Sequence, residues 1–247
     1  AMQSHESARA ARKALRKDTF EGHVTDFIAT HERRAAGVQA FLVEQDPHWV
    51  TPPHFHLEAQ FQVVVAGGGA FGRHPVAPLA VHYAAPQTGY GPISAGPQGV
   101  SYLTLRADGD TGAWYLHKPG SRERMEPGRR REQLHGAPAV AAAATDLAAL
   151  RDATAEALIA PRADGLAAFL LRLPPARALD LPAHADHGGR YYVVTRGTVQ
   201  AGADQMPALA VAFASADDRT ALRAGAAGAE VLVLQFPGNS STMEETQ

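Results

Sequence analysis

Pro52-Pro53-His54-Phe55-His56-Leu57-Glu58-Ala59-Gln60-Phe61-Gln62-Val63-Val64-Val65-Ala66-Gly67 is the stretch on which the reading of this chain turns. On a β-strand, residues two apart point to the same face. His54 and His56 can therefore present two imidazoles to one ion. Four residues on, Gln60 can reach back from the next strand after a tight turn and offer an amide oxygen. Imidazole suits Fe, Ni, Cu and Zn and, less strongly, Mn. Glu58 lies in the turn, where it could substitute as a ligand or act as a base.

The surroundings of this stretch read as short strands. Runs rich in Val, Phe, Tyr and Leu are cut by Gly and Pro clusters such as Gly67-Gly68-Gly69 and Gly91-Pro92, the pattern of an antiparallel sandwich or barrel. The pattern also repeats. Gly37-Val-Gln-Ala-Phe41 resembles Gly165-Leu-Ala-Ala-Phe169 at an offset of 128 residues. Gln62-Val-Val-Val-Ala-Gly67 resembles Tyr192-Val-Val-Thr-Arg-Gly197 at 130, and Ala95-Gly96-x-x-Gly99 recurs as Ala224-Gly225-x-x-Gly228 at 129. Three matches in the same order at nearly constant spacing argue for a duplicated domain. The expected organisation is a helical arm over 1–22, a first barrel over 23–117, a linker over 118–158 and a second barrel over 159–247. Within the arm, Ser7–Lys17 reads as a short helix. Within the linker, 118–136 reads as a polar loop, and Ala139–Ala157 as a helix with Thr145 as a possible N-cap.

Composition removes several function classes. The chain has 247 residues, 45% of them hydrophobic, and a net charge of −2, which leaves no electrostatic footprint for nucleic acid or a membrane surface. It has no cysteine, which excludes disulfides, zinc–thiolate sites, iron–sulfur clusters and a cysteine nucleophile. There is no apolar run of membrane-spanning length and no apolar signal core near the start, so a cytoplasmic protein is expected. No Gly-x-Ser-x-Gly elbow and no phosphate-binding Gly-rich loop with its Lys occurs, and two tryptophans are too few for a base-stacking platform.

With these residues in view, the chain resembles the cupins. Their first motif is His-x-His, three or four residues, Glu, and a Gly seven residues further on; His54, His56, Gln60 and Gly67 stand in those places. The resemblance covers both halves and implies a bicupin: an all-β chain of two tandem antiparallel, jelly-roll-like β-barrels. It also implies one divalent metal ion (Fe, Mn, Ni or Zn) in the first barrel. The departure is Gln60, a neutral amide where the family has its carboxylate. The family's last ligand is a His on a later strand. Here His82 is the imidazole candidate, while an alignment on Pro86-Gln-Thr-Gly-Tyr90 puts Tyr90 or Gly91 in that place. His74 reads as an outward strand residue. Tyr83, Tyr90, Tyr102 and Arg73 are candidates for orienting an anionic or enolic molecule.

The second half has no comparable set. His184 matches His54, but Asp186 stands for His56 and Arg190 for Gln60. A guanidinium cannot ligate a cation, so a metal-free, structural second barrel is expected, with His184, Asp186 and His187 as its only remnant. The resemblance spans dioxygenases, decarboxylases, isomerases, lyases and binding proteins, and fold does not choose among them. The expected function is a metal-dependent enzyme on a small organic molecule, dioxygenase-like, with a noncatalytic small-ligand-binding protein as the alternative. A homodimer paired through sheet edges is expected.

Overall fold

The computed structural model describes residues 2–29, 37–181 and 186–238. The chain divides into two units, Ala8–Gly136 (the first) and Ala1–Ser7 with Ala137–Gln247 (the second). The all-β expectation holds. In the first unit the strands are β2 (Arg12–Lys17), β3 (Phe20–Ile28), β4 (Gln39–Gln45), β5 (Val50–Thr51), β6 (His54–Phe55), β7 (Gln60–Phe71), β8 (His74–Val76), β9 (Val81–Ala84), β10 (Ile93–Arg106), β11 (Trp114–Tyr115) and β12 (Gln133–His135). In the second they are β1 (Met2–Gln3), β13 (Thr154–Ile159), β14 (Ala167–Leu173), β15 (Arg190–Ala201), β16 (Asp204–Met206), β17 (Val211–Ala214) and β18 (Leu222–Gln235).

The sheets follow one plan twice. The first runs β12-β9-β7-β10-β4-β3-β2 and the second β1-β17-β15-β18-β14-β13, all antiparallel. Each path ends on edge strands rather than returning on itself, so the sheets are open, not closed barrels. The repeat is written into the glycines. Gly67 and Gly197 both adopt positive φ, at 66° and 69°. A Cβ at either would press into the carbonyl oxygen of Gly99 or Gly228, which face them in the two units. Only glycine fits such a close backbone approach. Each unit has its own cluster of buried side chains on its long strands. Phe41, Val43, Val64, Tyr90 and Tyr102 pack in the first, and Phe169, Leu171, Tyr192, Val231 and Val233 in the second.

Both expected helices shrink. Ser7–Lys17 is not a helix: α1 is one turn, His5–Ala8, followed by a 3-10 turn, and Arg12–Lys17 is strand β2 paired with β3. Only Leu15 among its side chains is partly buried, so there was no apolar stripe to anchor a helix. Four basic residues on an edge strand also deter pairing with other chains. In the linker, α2 covers only Ala144–Ala149; its N-cap is Ala143, with no side-chain cap bond, rather than Thr145. Among its described side chains, Leu147 is the buried one. The chain then extends, and Thr154–Ile159 joins the sheet against β14, which satisfies its backbone groups better than a weakly anchored helix would. The polar loop also contains β12, which covers β9. No helix among the described residues is long and apolar enough to cross a membrane.

Candidate active site

The first unit holds a cavity of about 430 Å³ lined by residues from β2, β3, β4, β6, β7 and β10 and the loop after β10. Three elements aim the key side chains. The backbones of His54 and Tyr90 are bridged by two hydrogen bonds, His54 N to Tyr90 O (3.1 Å) and Tyr90 N to His54 O (3.0 Å). On β10, alternation sends Tyr102, Thr104 and Arg106 inward. The loop after it turns Asp110 back beneath His56.

The hydrogen bonds fix each proton. His54 donates Nδ1–H to the Pro52 carbonyl (2.8 Å), leaving the Nε2 lone pair to accept from the Tyr90 hydroxyl (3.0 Å). Arg106, always a donor, gives Nε–H and an Nη2–H to Gln60 Oε1 at 3.2 and 2.8 Å. That settles the Gln60 amide: its oxygen faces Arg106 and its NH₂ donates to Tyr90 at 2.6 Å. His56 meets Asp110 through Nδ1 at 2.7 Å. Asp110 also accepts from the backbone N–H of Leu57 and Gly112, both at 2.9 Å. The carboxylate therefore accepts the Nδ1–H of His56, and the His56 Nε2 carries the lone pair, with Arg106 Nη2 3.5 Å away. Arg106 additionally donates to Gln39 (2.6 Å) and stands 4.0 Å from Asp110.

Electrostatics follow from burial. Burial, then the neighbouring His56, pulls His54 down to about 3, so it is neutral at pH 7. Burial and the Arg106 charge also lower His56, against the pull of Asp110. Burial alone would raise the Asp110 carboxyl, but the His56 hydrogen bond and the charges of His56 and Arg106 outweigh it and hold it well below its ordinary range. Burial raises Tyr90 above its ordinary value, so it remains a phenol and a donor.

Not every expected residue belongs to this cluster. His82 is buried on β9, with its ring 4.9 Å from Tyr90. Its Nδ1 meets Gln62 at 2.9 Å and its Nε2 meets Gln133 at 3.0 Å, so both nitrogens are turned to amides. Glu58 is partly buried in the turn before β7 and does not line the cavity. Tyr83 packs on Phe61. Arg73 is exposed, and His74 is exposed and stacked on His135. His184 lies outside the described residues. Arg106, Asp110 and Gln39 were not foreseen, although Arg106 is a charged residue of inward parity ending an apolar strand, which is a usable signal.

The donors present do not complete a divalent-metal set. Two anchored imidazoles with inward lone pairs are suitable ligands. However, Gln60 offers N–H rather than oxygen, His82 is committed elsewhere, and a permanent guanidinium charge sits 3.1 Å from His56. No group of three His, Asp or Glu residues suited to a metal occurs among the described residues.

No family model and no curated protein matches the chain. Solved structures do. A candidate dioxygenase from Nostoc punctiforme superposes with a TM-score of 0.64 at 11% identity, covering 98% of this chain and 84% of that one. Oxalate decarboxylase from Bacillus subtilis, whose Mn(II) centres are described, gives 0.56 at 13% identity, covering 96% and 77%. The formate complex of the Lactobacillus farciminis oxalate decarboxylase gives 0.56 at 12%, covering 96% and 86%. The fold is therefore cupin-like across both units.

Proposed function

We propose that this two-unit, bicupin-like chain is an enzyme that moves protons on a small organic acid, in the isomerase or lyase class, using the cavity of the first unit. One observation carries the reading: an imidazole oriented by a buried carboxylate stands beside a buried guanidinium at the wall of an open cavity. Asp110 holds His56 in the tautomer whose Nε2 can accept a proton. Arg106 supplies fixed positive charge for a carboxylate or a developing enolate. Tyr90, held in place by Gln60, turns its one O–H from His54 Nε2 to an oxygen of the same molecule. An anion beside Arg106 would also cancel part of the charge that lowers His56, so that binding itself strengthens the base. His56 then takes a proton from carbon and returns it to carbon, or a leaving group departs; no electrons are exchanged with another reagent.

The test is solvent exchange. Small carboxylic acids with an acidic C–H are incubated with the protein in D₂O and followed by proton NMR. Deuterium enters one of them with the wild type and not with His56→Ala. Incorporation that is unchanged in His56→Ala overturns the reading.

A second reading keeps the metal-dependent dioxygenase. It is favoured by one observation, that the Nδ1–H of both His54 and His56 is tied to an oxygen, the arrangement that orients metal-bound histidines. It predicts a stoichiometric divalent ion in the purified protein that is lost in His54→Ala, together with O₂ consumption. A homodimer remains part of the proposal, since open sheets leave edges that a second copy can cover. Light scattering at the 26.1 kDa mass of one chain would remove it.

A further inference from the structure

The two units carry the same polar pair with its members exchanged. In the first, the register that sets Leu105 against Phe61 brings Arg106 of β10 opposite Gln60 of β7. In the second, Arg190 of β15 faces Gln235 of β18, and Arg190 Nε–H donates to Gln235 Oε1 at 2.6 Å. The strands correspond one to one, so the guanidinium has crossed from one strand to the other while its place in the sheet is kept. Gln235 is itself fixed, because its NH₂ donates to the Gly165 carbonyl. Its oxygen therefore has to face Arg190.

Arg190 also lines a cavity of about 400 Å³, with His187, Tyr192, Ser215 and Arg219 among its neighbours. Among the described residues Arg190 has no ion pair; its acceptor is a neutral amide. Arg219 donates only to the backbone oxygens of Ala216 and Asp218 among the described residues. By contrast, Arg162, Arg172 and Arg177 of the same unit each have a carboxylate within 4.0 Å. Asp217 and Asp218 line the cavity too, but on its exposed side, and Asp218 Oδ1 accepts from Thr220 N at 2.8 Å. A partly buried guanidinium with only a neutral partner gains from an anion that brings two acceptor oxygens.

We propose that the second unit is not merely structural but holds a second binding site for a small carboxylate, anchored by Arg190 with Arg219 at the rim. It stands independently of the chemistry assigned to the first unit, because its residues and its cavity are separate.

Malonate serves as the probe, with the full chain. Both tryptophans, Trp49 and Trp114, lie in the first unit, so tryptophan fluorescence reports that unit, whereas calorimetry counts every site. The expected result is one more malonate per chain by calorimetry than by fluorescence. Arg190→Gln should remove the extra site or weaken it at least about tenfold while leaving the fluorescence titration unchanged. A wild-type stoichiometry fully accounted for by the fluorescent site overturns the proposal. So does an extra site that Arg190→Gln leaves within about twofold of wild-type affinity. Should that variant fail to fold, Arg219→Ser decides on the same two readings. If fluorescence never responds yet calorimetry finds an Arg190-dependent site, the first-unit reading fails and this one stands.

Discussion

Asp110 is the residue on which the proposed chemistry depends, since its hydrogen bond places the His56 proton on Nδ1. Asp110→Asn can offer His56 either an oxygen or an NH₂, so the imidazole loses its fixed tautomer. We expect turnover to fall on the order of 100-fold with KM little changed, measured by steady-state kinetics once a substrate is in hand. A second prediction concerns pH. His54 and His82 are held down to about 3 and about 4 by burial, below the ordinary value of about 6.5 that the unfolded chain has. The unfolded chain thus binds protons that the folded one refuses. Stability is complete above about pH 6.5 and falls as pH drops toward 4, by about 1.4 kcal/mol per pH unit for each such histidine. Urea unfolding at pH 7 and pH 5 checks this, and His82→Gln should reduce the slope by about one proton. At this scale strand alternation and motif spacing, which are local, single out His54 and His56, and the cupin resemblance singles out Tyr90; the structure brings the three together. The sequence did not reveal Arg106 or Asp110. They reach the site through the pairing of β10 with β7 and through a loop whose Asp-Gly-Asp reads as an ordinary turn. Nor could it reveal the orientation of the Gln60 amide, which depends on Arg106.

Local sequence signals agree with the elements where they record backbone contacts. The glycine pattern survived because it records backbone contact between β7 and β10 and between β15 and β18. Gly67→Ala should cost more than about 1 kcal/mol, because it combines positive φ with a collision against backbone that has no side chain to move aside. Gly197→Ala should do the same in the second unit, and thermal melting of each variant measures it. The helix expectations failed where a few apolar residues at helical spacing met an available sheet edge. Arg12–Lys17 and Thr154–Ile159 both pair with a neighbouring strand, and tertiary pairing outweighs weak helical periodicity. For His82, a single imidazole on a strand gives no sign of whether it faces the cavity centre. The register against Gln62, known only from the fold, turns it to an amide.

At the scale of the whole chain, the two units share one sheet plan and differ in how they place one positive charge. The repeated offsets in the sequence run parallel to this shared plan, whereas the exchange of Arg and Gln between strands is visible only in the register of both sheets. Each unit has its own core, so a fragment of residues 8–136 should fold alone, with a cooperative melt and a β-type circular dichroism spectrum, and keep the first cavity. On the proposed reading, the first unit works with its own guanidinium and imidazoles. The direct measurement is deuterium incorporation into the small-acid panel by full-length protein stripped with EDTA, its metal content verified by mass spectrometry. Exchange should stay within about twofold of the unstripped protein and be absent in His56→Ala. Exchange that disappears on stripping and returns only with one equivalent of a divalent ion would contradict that reading.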